Sequence, residues 1–304
     1  MSGNTSQTSP RPAVLRRATI PAGSSQHRKQ HVARAPCRGE RLEDPHGFTL
    51  TKWYLDCATD DGRACIAYWA SLAWHTLRLT WQNVTMFYPD GSRSQRSSLA
   101  GASAPLVRDG GISWPDTLGS RIEIAHCAGP IEARLYECEG GCVDWRAEAP
   151  AAMVDAEFTG LGRIAGPGYV ERIVMTVPPW RLPIRELRWG RWVDANATRS
   201  VVWIDWRGRE QQTRVFVDGT CVPDPVVRDD GVNAGASTLT IGATRTLHER
   251  SLEEIVATIP PLRAVVPARL LALRQSKWCS AASLSFGNGE PVSGRAIHET
   301  VVFG

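Results

Sequence analysis

Residues 166–192 read Gly-Pro-Gly-Tyr-Val-Glu-Arg-Ile-Val-Met-Thr-Val-Pro-Pro-Trp-Arg-Leu-Pro-Ile-Arg-Glu-Leu-Arg-Trp-Gly-Arg-Trp, and their opening returns in weaker form near the C-terminus. Residues 294–303 read Gly-Arg-Ala-Ile-His-Glu-Thr-Val-Val-Phe. Both copies follow the pattern Gly-x-x-apolar-x-Glu and continue into an apolar strand. Glu171 and Glu299 are 128 residues apart in this numbering, about the length of one small β-barrel. The repeat predicts two similar β modules in tandem.

Short alternating strands fill the chain from residue 47 onward. Phe48–Cys57 alternates in polarity, and Asp60-Asp-Gly62 and Pro89-Asp-Gly91 supply turns. The other predicted strands are 64–69, 76–84, 121–125, 131–138, 157–161, 170–177, 188–193, 200–206, 213–217, 237–241 and 295–303. Closely spaced short strands are typical of antiparallel barrels. We predict an all-β fold with at most one or two short helices, and residues 267–276 are the strongest helical candidate because Pro267 suits a first turn.

The sequence divides into a tail and two modules. Residues 1–45 are rich in Ser, Arg, Pro and Gln without periodicity, so we predict a disordered basic tail. This tail lacks the apolar segment of a secretory signal, and it fits a genuine tail, an organellar transit peptide or sequence upstream of a misplaced start. The first module is predicted at 46–165 and the second at 166–304. Gly160-Leu-Gly162 and Gly166-Pro-Gly168 are predicted to connect them.

Charge and composition limit the partners. Residues 1–39 carry seven of the 35 basic residues and no acidic one, which leaves 28 basic against 31 acidic residues in the body. The body therefore offers no electrostatic case for nucleic acid. No window is apolar enough to cross a bilayer, so we expect a cytoplasmic protein, with transient membrane contact left open. Cys138 and Cys142 form the only close cysteine pair and lack further ligands, so we expect no metal or cofactor.

Each repeated glutamate is predicted to lie on an apolar face. Successive side chains of a strand alternate between faces, which places Glu171 with Tyr169, Ile173 and Met175. By the same alternation, Glu299 is predicted to lie on a strand face whose other side chains are apolar. A carboxyl group there must be paired with a cation, hydrogen-bonded or protonated, because burial disfavours its charged form. A structural alternative is a buried ion pair in which Arg185 or Arg191 neutralises Glu171.

The motifs resemble a known superfamily. Gly168-Tyr169-x-Glu171, Trp189-Gly190-Arg191 and the closing strand from Gly294 to Glu299 are similar to motifs of the tandem lipocalin-like superfamily. This superfamily includes hydroxyneurosporene synthase (carotenoid 1,2-hydratase) and AttH-type proteins, and fungal lipocalin-like Diels–Alderases share its two-barrel plan. The resemblance covers residues 47–304 in architecture. It implies two lipocalin-like (calycin) antiparallel barrels side by side, with an apolar cavity at or near their junction.

The resemblance also implies a chemistry. In the hydratase branch, a carboxylic acid in the cavity protonates a terminal isoprenoid double bond and water captures the tertiary cation. The family pattern is Gly-x-x-Tyr-x-Asp-His-x-x-Gly, whereas this chain has Glu171 in place of the Asp, Arg172 in place of the His and no second Gly. Residues 178–183, Pro-Pro-Trp-Arg-Leu-Pro, also differ from the hydratases and are predicted to form a rigid segment at the cavity mouth. These departures predict a distant branch.

The leading hypothesis is a cofactor-free binder of a hydrophobic isoprenoid or polyketide-like molecule that catalyses hydration, cyclisation or isomerisation. Glu171 is the candidate acid, with Tyr169 and Arg191 orienting it or tuning its pKa. The 12 Trp outnumber the 6 Phe and 5 Tyr, and Trp lines both cores and ligand cavities. The candidate wall and polar residues of the cavity are Trp180, Trp189, Trp206, Asp205, Tyr54 and Asp56.

Two other classes remain open. One is a non-catalytic carrier of lipophilic ligands, which predicts tight ligand binding and no product. The other is a scaffold protein whose Trp residues all serve the core, which predicts no cavity of ligand size.

Overall fold

The computed structural model describes residues 47–115, 118–257, 266, 271–287 and 289–303, which belong to one compact unit. The predicted tail, 1–45, lies outside these ranges. Within them, nineteen strands form two antiparallel sheets, and Leu252–Ala257 (α1) is helical. No described helix is long and apolar enough to span a bilayer. The prediction of a nearly all-β protein with two tandem modules is confirmed.

The first sheet contains ten of the described strands: β1 (Phe48–Ala58), β2 (Ala64–Trp74), β3 (Leu77–Phe87), β4 (Arg93–Ser98), β5 (Leu106–Arg108), β6 (Gly111–Ser113), β7 (Ser120–His126), β8 (Ile131–Cys138), β9 (Gly141–Phe158) and β10 (Gly162–Met175). The second contains nine: β11 (Ile184–Asp194), β12 (Ser200–Gly208), β13 (Gln212–Val217), β14 (Thr220–Val222), β15 (Val226–Val227), β16 (Gly231–Ala234), β17 (Ser237–Ser251), β18 (Arg274–Phe286) and β19 (Val292–Val302).

The two sheets have the same topology. The strand order is β4-β3-β2-β1-β10-β9-β7-β6-β5 in the first and β14-β13-β12-β11-β19-β18-β17-β16-β15 in the second, with β8 pairing separately with β9. In each sheet, four strands form a meander and the last strand returns beside the first. Strands β10 and β19, which carry Glu171 and Glu299, therefore occupy equivalent positions. The sequence repeat reflects a repeat of structure.

Each sheet curls around its own apolar core. Met86 of β3 and Ile112 of β6 are near opposite ends of the first sheet, yet both pack in one buried cluster. Val215 of β13 and Val227 of β15 are related in the same way in the second sheet. A sheet that brings both ends to one core must be strongly curved, as in a barrel.

The two sheets pack against each other through β1 and β11. These strands have the same burial profile, and each ends in six consecutive buried residues. Because successive side chains alternate between the two faces of a strand, three of these six residues point into the barrel interior. The other three point outward, so another part of the protein must bury them. A third buried cluster supplies that cover, because it contains Tyr54, Trp145 and Tyr169 from the first sheet together with Trp189 and Ile297 from the second.

The predicted boundary between the modules, 165/166, falls inside β10. That strand pairs with β1 and β9 over its length, so the first sheet extends to Met175 and the second begins at Ile184. The Pro-rich segment 178–183 makes the connection, with a short 3-10 turn at Pro179–Arg181. The sequence prediction was wrong here because the glycines of 160–168 resemble a linker.

Those glycines have other roles. Gly160 and Gly162 have positive φ and lie in the β9–β10 turn, so the predicted strand 157–161 is largely a turn. A Cβ at Gly168 would collide with the carbonyl oxygen of Asp56 on β1, so only glycine allows the two strands this approach. In the predicted helix 267–276, residues 267–270 lie outside the described ranges, whereas residues 274–276 begin β18. There, pairing with β17 and β19 outweighs local helix propensity.

Candidate functional site

The candidate site is the polar centre of the contact between the two sheets. Nine buried or half-buried side chains compose it, and we call them the interface cluster: Tyr54, Asp56, Trp145, Tyr169, Glu171, Trp189, Arg191, Lys277 and Glu299. They project from the outer faces of strands β1, β9, β10, β11, β18 and β19. Direct strand pairing places Tyr54 opposite Glu171 in one sheet and Trp189 opposite Glu299 in the other.

Glu171 is held by donors from both sheets. Its Oε2 atom accepts hydrogen bonds from Trp145 Nε1 at 2.6 Å, from the Tyr169 hydroxyl at 2.9 Å and from Trp189 Nε1 at 3.1 Å. Every hydrogen bond that the described residues donate to this carboxyl group goes to Oε2. The bond from Tyr169 confirms that the two side chains share a face, despite a register irregularity in β10 between Gly168 and Glu171.

Burial raises the pKa of the Glu171 carboxyl group, because Glu171 is only 4% exposed and its charge is poorly solvated. Nearby Lys52 and the donors Trp145 and Tyr169 offset part of this effect on the pKa, and Glu299 adds to it. No described cation forms an ion pair with Glu171. The structural alternative, an ion pair of Glu171 with Arg185 or Arg191, is therefore not formed among the described residues. The environment favours the protonated acid more than a surface site would.

Arg191 instead pairs with Asp56 across the two sheets. Its Nε donates to Asp56 Oδ1 at 2.8 Å, its Nη2 contacts the same oxygen, and its Nη1 donates to the Arg295 carbonyl at 2.7 Å. The Tyr54 hydroxyl donates to the other oxygen of Asp56 at 2.7 Å. Both charged side chains are completely buried. Arg191 thus orients Asp56 and, among the described residues, forms no hydrogen bond or ion pair with Glu171, whereas its influence on the pKa of Glu171 stays a prediction.

Lys277 and Glu299 form a second buried ion pair, with Nζ 2.8 Å from Oε2. Gln275 also donates to Glu299 at 2.6 Å. The Lys277 ammonium group lies 4.4 Å from the Tyr54 ring centroid and 5.2 Å from that of Trp189. Burial is the largest single influence on the pKa of Glu299 and raises it, but the charges of Lys277 and Lys52 and the hydrogen bonds from Lys277 and Gln275 together outweigh burial, so the pKa is lowered. Burial likewise acts to lower the pKa of Lys277, but Glu299, Tyr68 and Asp56 together outweigh burial and raise the pKa.

The equivalent glutamates therefore differ in environment, and their pKa values are shifted in opposite directions. Glu299 has a cation in contact and is held as a carboxylate, whereas Glu171 has only neutral donors in contact. The position equivalent to Lys277 in the first sheet is Ala147, because Ala147 pairs with Glu171 as Lys277 pairs with Glu299. One substitution between the two repeats thus separates a neutralised carboxylate from a candidate acid.

Three predicted site residues lie elsewhere. Trp180 packs edge-on against Phe48 and in a tilted orientation against Trp74 in a separate apolar cluster. Trp206 stacks with Tyr136 at 6.1 Å between ring centroids and lines a surface cavity of about 320 Å³. Asp205 accepts a hydrogen bond from Thr213 at 2.8 Å and pairs with Arg207 at 2.7 Å. These partners, from β13 and from its own strand, account for its buried carboxylate.

Sequence reasoning missed Trp145, Lys277 and Glu299's role as the partner of Lys277. Trp145 lies within a continuous β9 strand that the prediction left unassigned, and Lys277 lies just beyond the predicted helix. Lys277 had one available signal, because it is one of only three lysines and is followed directly by Trp278. Tyr54, Asp56, Tyr169, Glu171, Trp189 and Arg191 were singled out in the sequence and do meet.

Opposite pH effects are expected from Glu171→Gln and Glu299→Gln. The folded-state pKa of Glu171 is raised above 4.5, so its carboxyl group favours folding below pH 4.5 and that contribution is lost as the pH rises through the folded pKa. Gln mimics the protonated acid, so the stability of Glu171→Gln relative to wild type should increase from pH 4.5 to 7.5. Thermal unfolding at several pH values measures this difference.

Glu299→Gln is the matched control, and its stability relative to wild type is expected to change with pH in the opposite direction. The folded-state pKa of Glu299 is lowered, so its contribution is present above pH 4.5 and is lost as the pH falls through the folded pKa. This variant should therefore lose more stability at pH 7.5 than near pH 3.5. If the stability of both variants relative to wild type changes with pH in the same direction, the pKa values of the two glutamates are not shifted in opposite directions.

Comparison with known proteins identifies the fold. No protein-family model and no curated protein sequence matches this chain. Among solved structures, it is similar to a protein assigned as AttH from Nitrosomonas europaea, with 13% identity, a TM-score of 0.50 and coverage of 89% of this chain and 99% of that one. The structure of CghA with Sch210972 has 11% identity and a TM-score of 0.49, with coverage of 84% of this chain and 89% of that one. Kievitone hydratase from Nectria haematococca has 8% identity and a TM-score of 0.47, with coverage of 86% of this chain and 90% of that one.

The class that these observations define is the tandem lipocalin-like fold. The AttH protein is matched over nearly its whole length, and the duplicated topology accounts for that coverage. The resemblance predicted from the motifs of 166–192 and 294–299 is thus confirmed at the level of the fold.

Proposed function

We propose that the interface cluster binds a hydrophobic small molecule, isoprenoid or polyketide-like, and that Glu171 acts on it as a general acid in a cofactor-free hydration or cyclisation. The observation that carries this proposal is the environment of Glu171. Its carboxyl group is buried among aromatic rings, its pKa is raised, and its hydrogen bonds from described donors all reach one oxygen. Acids with such environments are suited to proton transfer near neutral pH.

The donor geometry supports Oε1 as the oxygen that carries the transferable proton. Trp145, Tyr169 and Trp189 each present a hydrogen to Oε2, so a proton on that oxygen would face three donors. The proton therefore resides on Oε1, from which it can be donated to a bound alkene. After donation, negative charge on Oε2 is stabilised at once by the same three donors.

The reaction balances without a cofactor. The Oε1–H bond breaks and its proton forms a new C–H bond with one alkene carbon, while the π electrons leave the other carbon as a cation. A water oxygen bonds to that cation in a hydration, and the proton that it loses returns to Glu171. In a cyclisation, a second double bond of the same molecule attacks the cation instead, and loss of a proton to Glu171 completes the cycle.

The aromatic rings of the cluster support a cationic intermediate. Tyr54 and Trp189 have the Lys277 ammonium group within cation–π range, and this contact supports the proposal that aromatic faces of the cluster stabilise positive charge. Trp145 and Tyr169 lie next to the acid. Glu299 of the cluster and four side chains around it are half-buried and mark the side from which a ligand can approach: Lys52, Tyr68, Ile173 and Leu187.

The test is to recover the ligand and follow its conversion. Native mass spectrometry of the purified protein is expected to reveal a co-purifying lipophilic molecule. Incubation of that molecule with the protein in H2 18O should yield a tertiary alcohol that carries one 18O, or an isomer of unchanged mass if the reaction is a cyclisation. Binding without any product would contradict the catalytic proposal and favour the non-catalytic carrier.

A further inference from the structure

The interiors of the two barrels differ at one equivalent row of side chains. In the first barrel the row crosses β2, β1, β10 and β9 as Ala67, Leu55, Val170 and Ala149, all completely buried. In the second barrel, the equivalent row crosses β12, β11, β19 and β18. Its members are Trp203, Gly190, His298 and Trp278. Small apolar residues are thus replaced by three aromatic rings and a glycine.

Glycine at position 190 is required by this arrangement. A Cβ there would collide with the Trp203 ring, so the indole lies flat over the backbone of β11. The ring of His298 stacks with Trp278 at 5.3 Å and lies 6.4 Å from Trp203. The lumen beside this row contains a cavity of about 250 Å³ whose wall includes Trp203, Trp278, His298, Ile241, Thr244 and Val227.

The cavity reaches the surface beside an ion pair. Arg188, on the same inner face of β11 as Gly190, pairs with Asp229, which is 89% exposed, and both contribute to the wall. Trp189 and Glu299 also touch the wall, but their side chains belong to the interface cluster on the outer face of the same strands. The cavity therefore adjoins the interface cluster.

A chain of hydrogen bonds fixes the tautomer of His298. The Thr244 hydroxyl donates to the Gly242 carbonyl at 3.0 Å, so in its 2.8 Å contact with Ser280 the serine must donate. Ser280 has a single hydrogen, so its 2.9 Å contact with His298 requires Nε2–H of the imidazole to donate. Nδ1 then carries a lone pair and is an acceptor. Burial, and then Lys277, lowers the pKa of His298 to about 4, which keeps the ring neutral.

We propose that the lumen of the second barrel is a binding site for a small planar phenol, whose hydroxyl group donates to His298 Nδ1 while its rings pack against Trp203 and Trp278. The size of the cavity supports one or two rings, since a cavity of about 150 Å³ accommodates benzene. The site is specific for a ligand with a hydrogen-bond donor, because His298 Nδ1 accepts a hydrogen bond that a phenolic O–H group can donate. This site does not depend on the proposed chemistry of Glu171.

Two matched probes test the proposal: 2-naphthol and 2-methoxynaphthalene, which has similar rings but no donor. Calorimetric titration of the whole protein is expected to show 2-naphthol binding about tenfold more tightly, the usual value of one buried hydrogen bond to a polar partner. His298→Phe retains a stacking ring without the acceptor, so it should remove the preference by weakening 2-naphthol alone. Glu171→Gln should bind both probes as wild type does.

An independent measurement uses the wild-type protein. The imidazole 15N spectrum of His298 is expected to show a protonated Nε2, and addition of 2-naphthol should shift Nδ1. A protonated Nδ1 overturns the proposal, as does equal affinity for the two probes or no detectable binding of 2-naphthol. A preference that persists in His298→Phe, or that disappears in Glu171→Gln, places the probe elsewhere and also overturns it.

Discussion

Replacing Glu171 by Gln is expected to slow turnover by about 10²- to 10⁴-fold, the usual contribution of a positioned general acid. The amide oxygen of Gln can still accept the hydrogen bonds from Trp145, Tyr169 and Trp189 that now reach Oε2. The variant therefore retains the shape of the cluster and loses only the transferable proton. Affinity for the co-purifying ligand, measured by quenching of Trp fluorescence, should stay within about threefold, a change of less than 1 kcal/mol.

Glu148→Gln is the matched control for this experiment. Glu148 is also a buried glutamate of the first sheet, but it pairs with Arg146 at 2.7 Å and Arg172 at 3.1 Å, outside the interface cluster. Its replacement should leave turnover unchanged in protein that is still folded at the assay temperature. Turnover of Glu171→Gln close to the wild-type rate would refute the acid role. Parallel loss of turnover, binding and folding would reduce Glu171 to a structural residue.

Asp56→Ala is expected to lower the free energy of unfolding by about 3–5 kcal/mol, because it leaves the Arg191 guanidinium group buried without its counter-charge. Both members of this pair are completely buried, and each comes from a different sheet. The loss should therefore weaken the contact between the sheets as well as the stability of the whole. Chemical denaturation followed by Trp fluorescence measures it, and a biphasic transition would show that the sheets then unfold separately.

Two further variants separate charge burial from packing. In Asp56→Leu/Arg191→Met, both charges are removed, so most of the loss should be recovered, as observed generally when buried ion pairs are replaced by apolar residues. Asp61→Ala removes an exposed partner of Arg63 and should cost less than about 1 kcal/mol. If Asp56→Ala costs no more than Asp61→Ala, the buried pair does not stabilise the contact between the sheets.

The interface cluster and the lumen of the second barrel use the duplicated fold differently. At the interface, the two repeats face each other, and the equivalent positions Asp56 and Arg191 have opposite charges that pair directly. In the lumen of each barrel, the side chains of one repeat pack with one another. The equivalent rows form a filled apolar core in the first barrel and the wall of an aromatic cavity in the second. Duplication thus supplied two copies of each position, which then took different roles.

Local pattern was enough for several features of the site. Alternation along β10 placed Tyr169 and Glu171 on one face, and they are hydrogen-bonded. The repeated Gly-x-x-apolar-x-Glu pattern identified two equivalent strands. The boundary between the modules was misplaced because Gly166 and Gly168 resemble a linker locally, whereas their actual role is to let β10 approach β1 and its neighbours closely.

The sequence by itself determined the all-β class, the tandem duplication and the burial of a carboxyl group on an apolar face, because these depend on period-two alternation and on repeats that are visible along the chain. Only the tertiary structure decided the partners of that carboxyl group. Trp145 and Trp189 reach Glu171 from different sheets, and Arg191 reaches Asp56 across 135 positions of the chain. Alternation defines the two faces of a strand, but the packing of one curved sheet against another decides what covers each face.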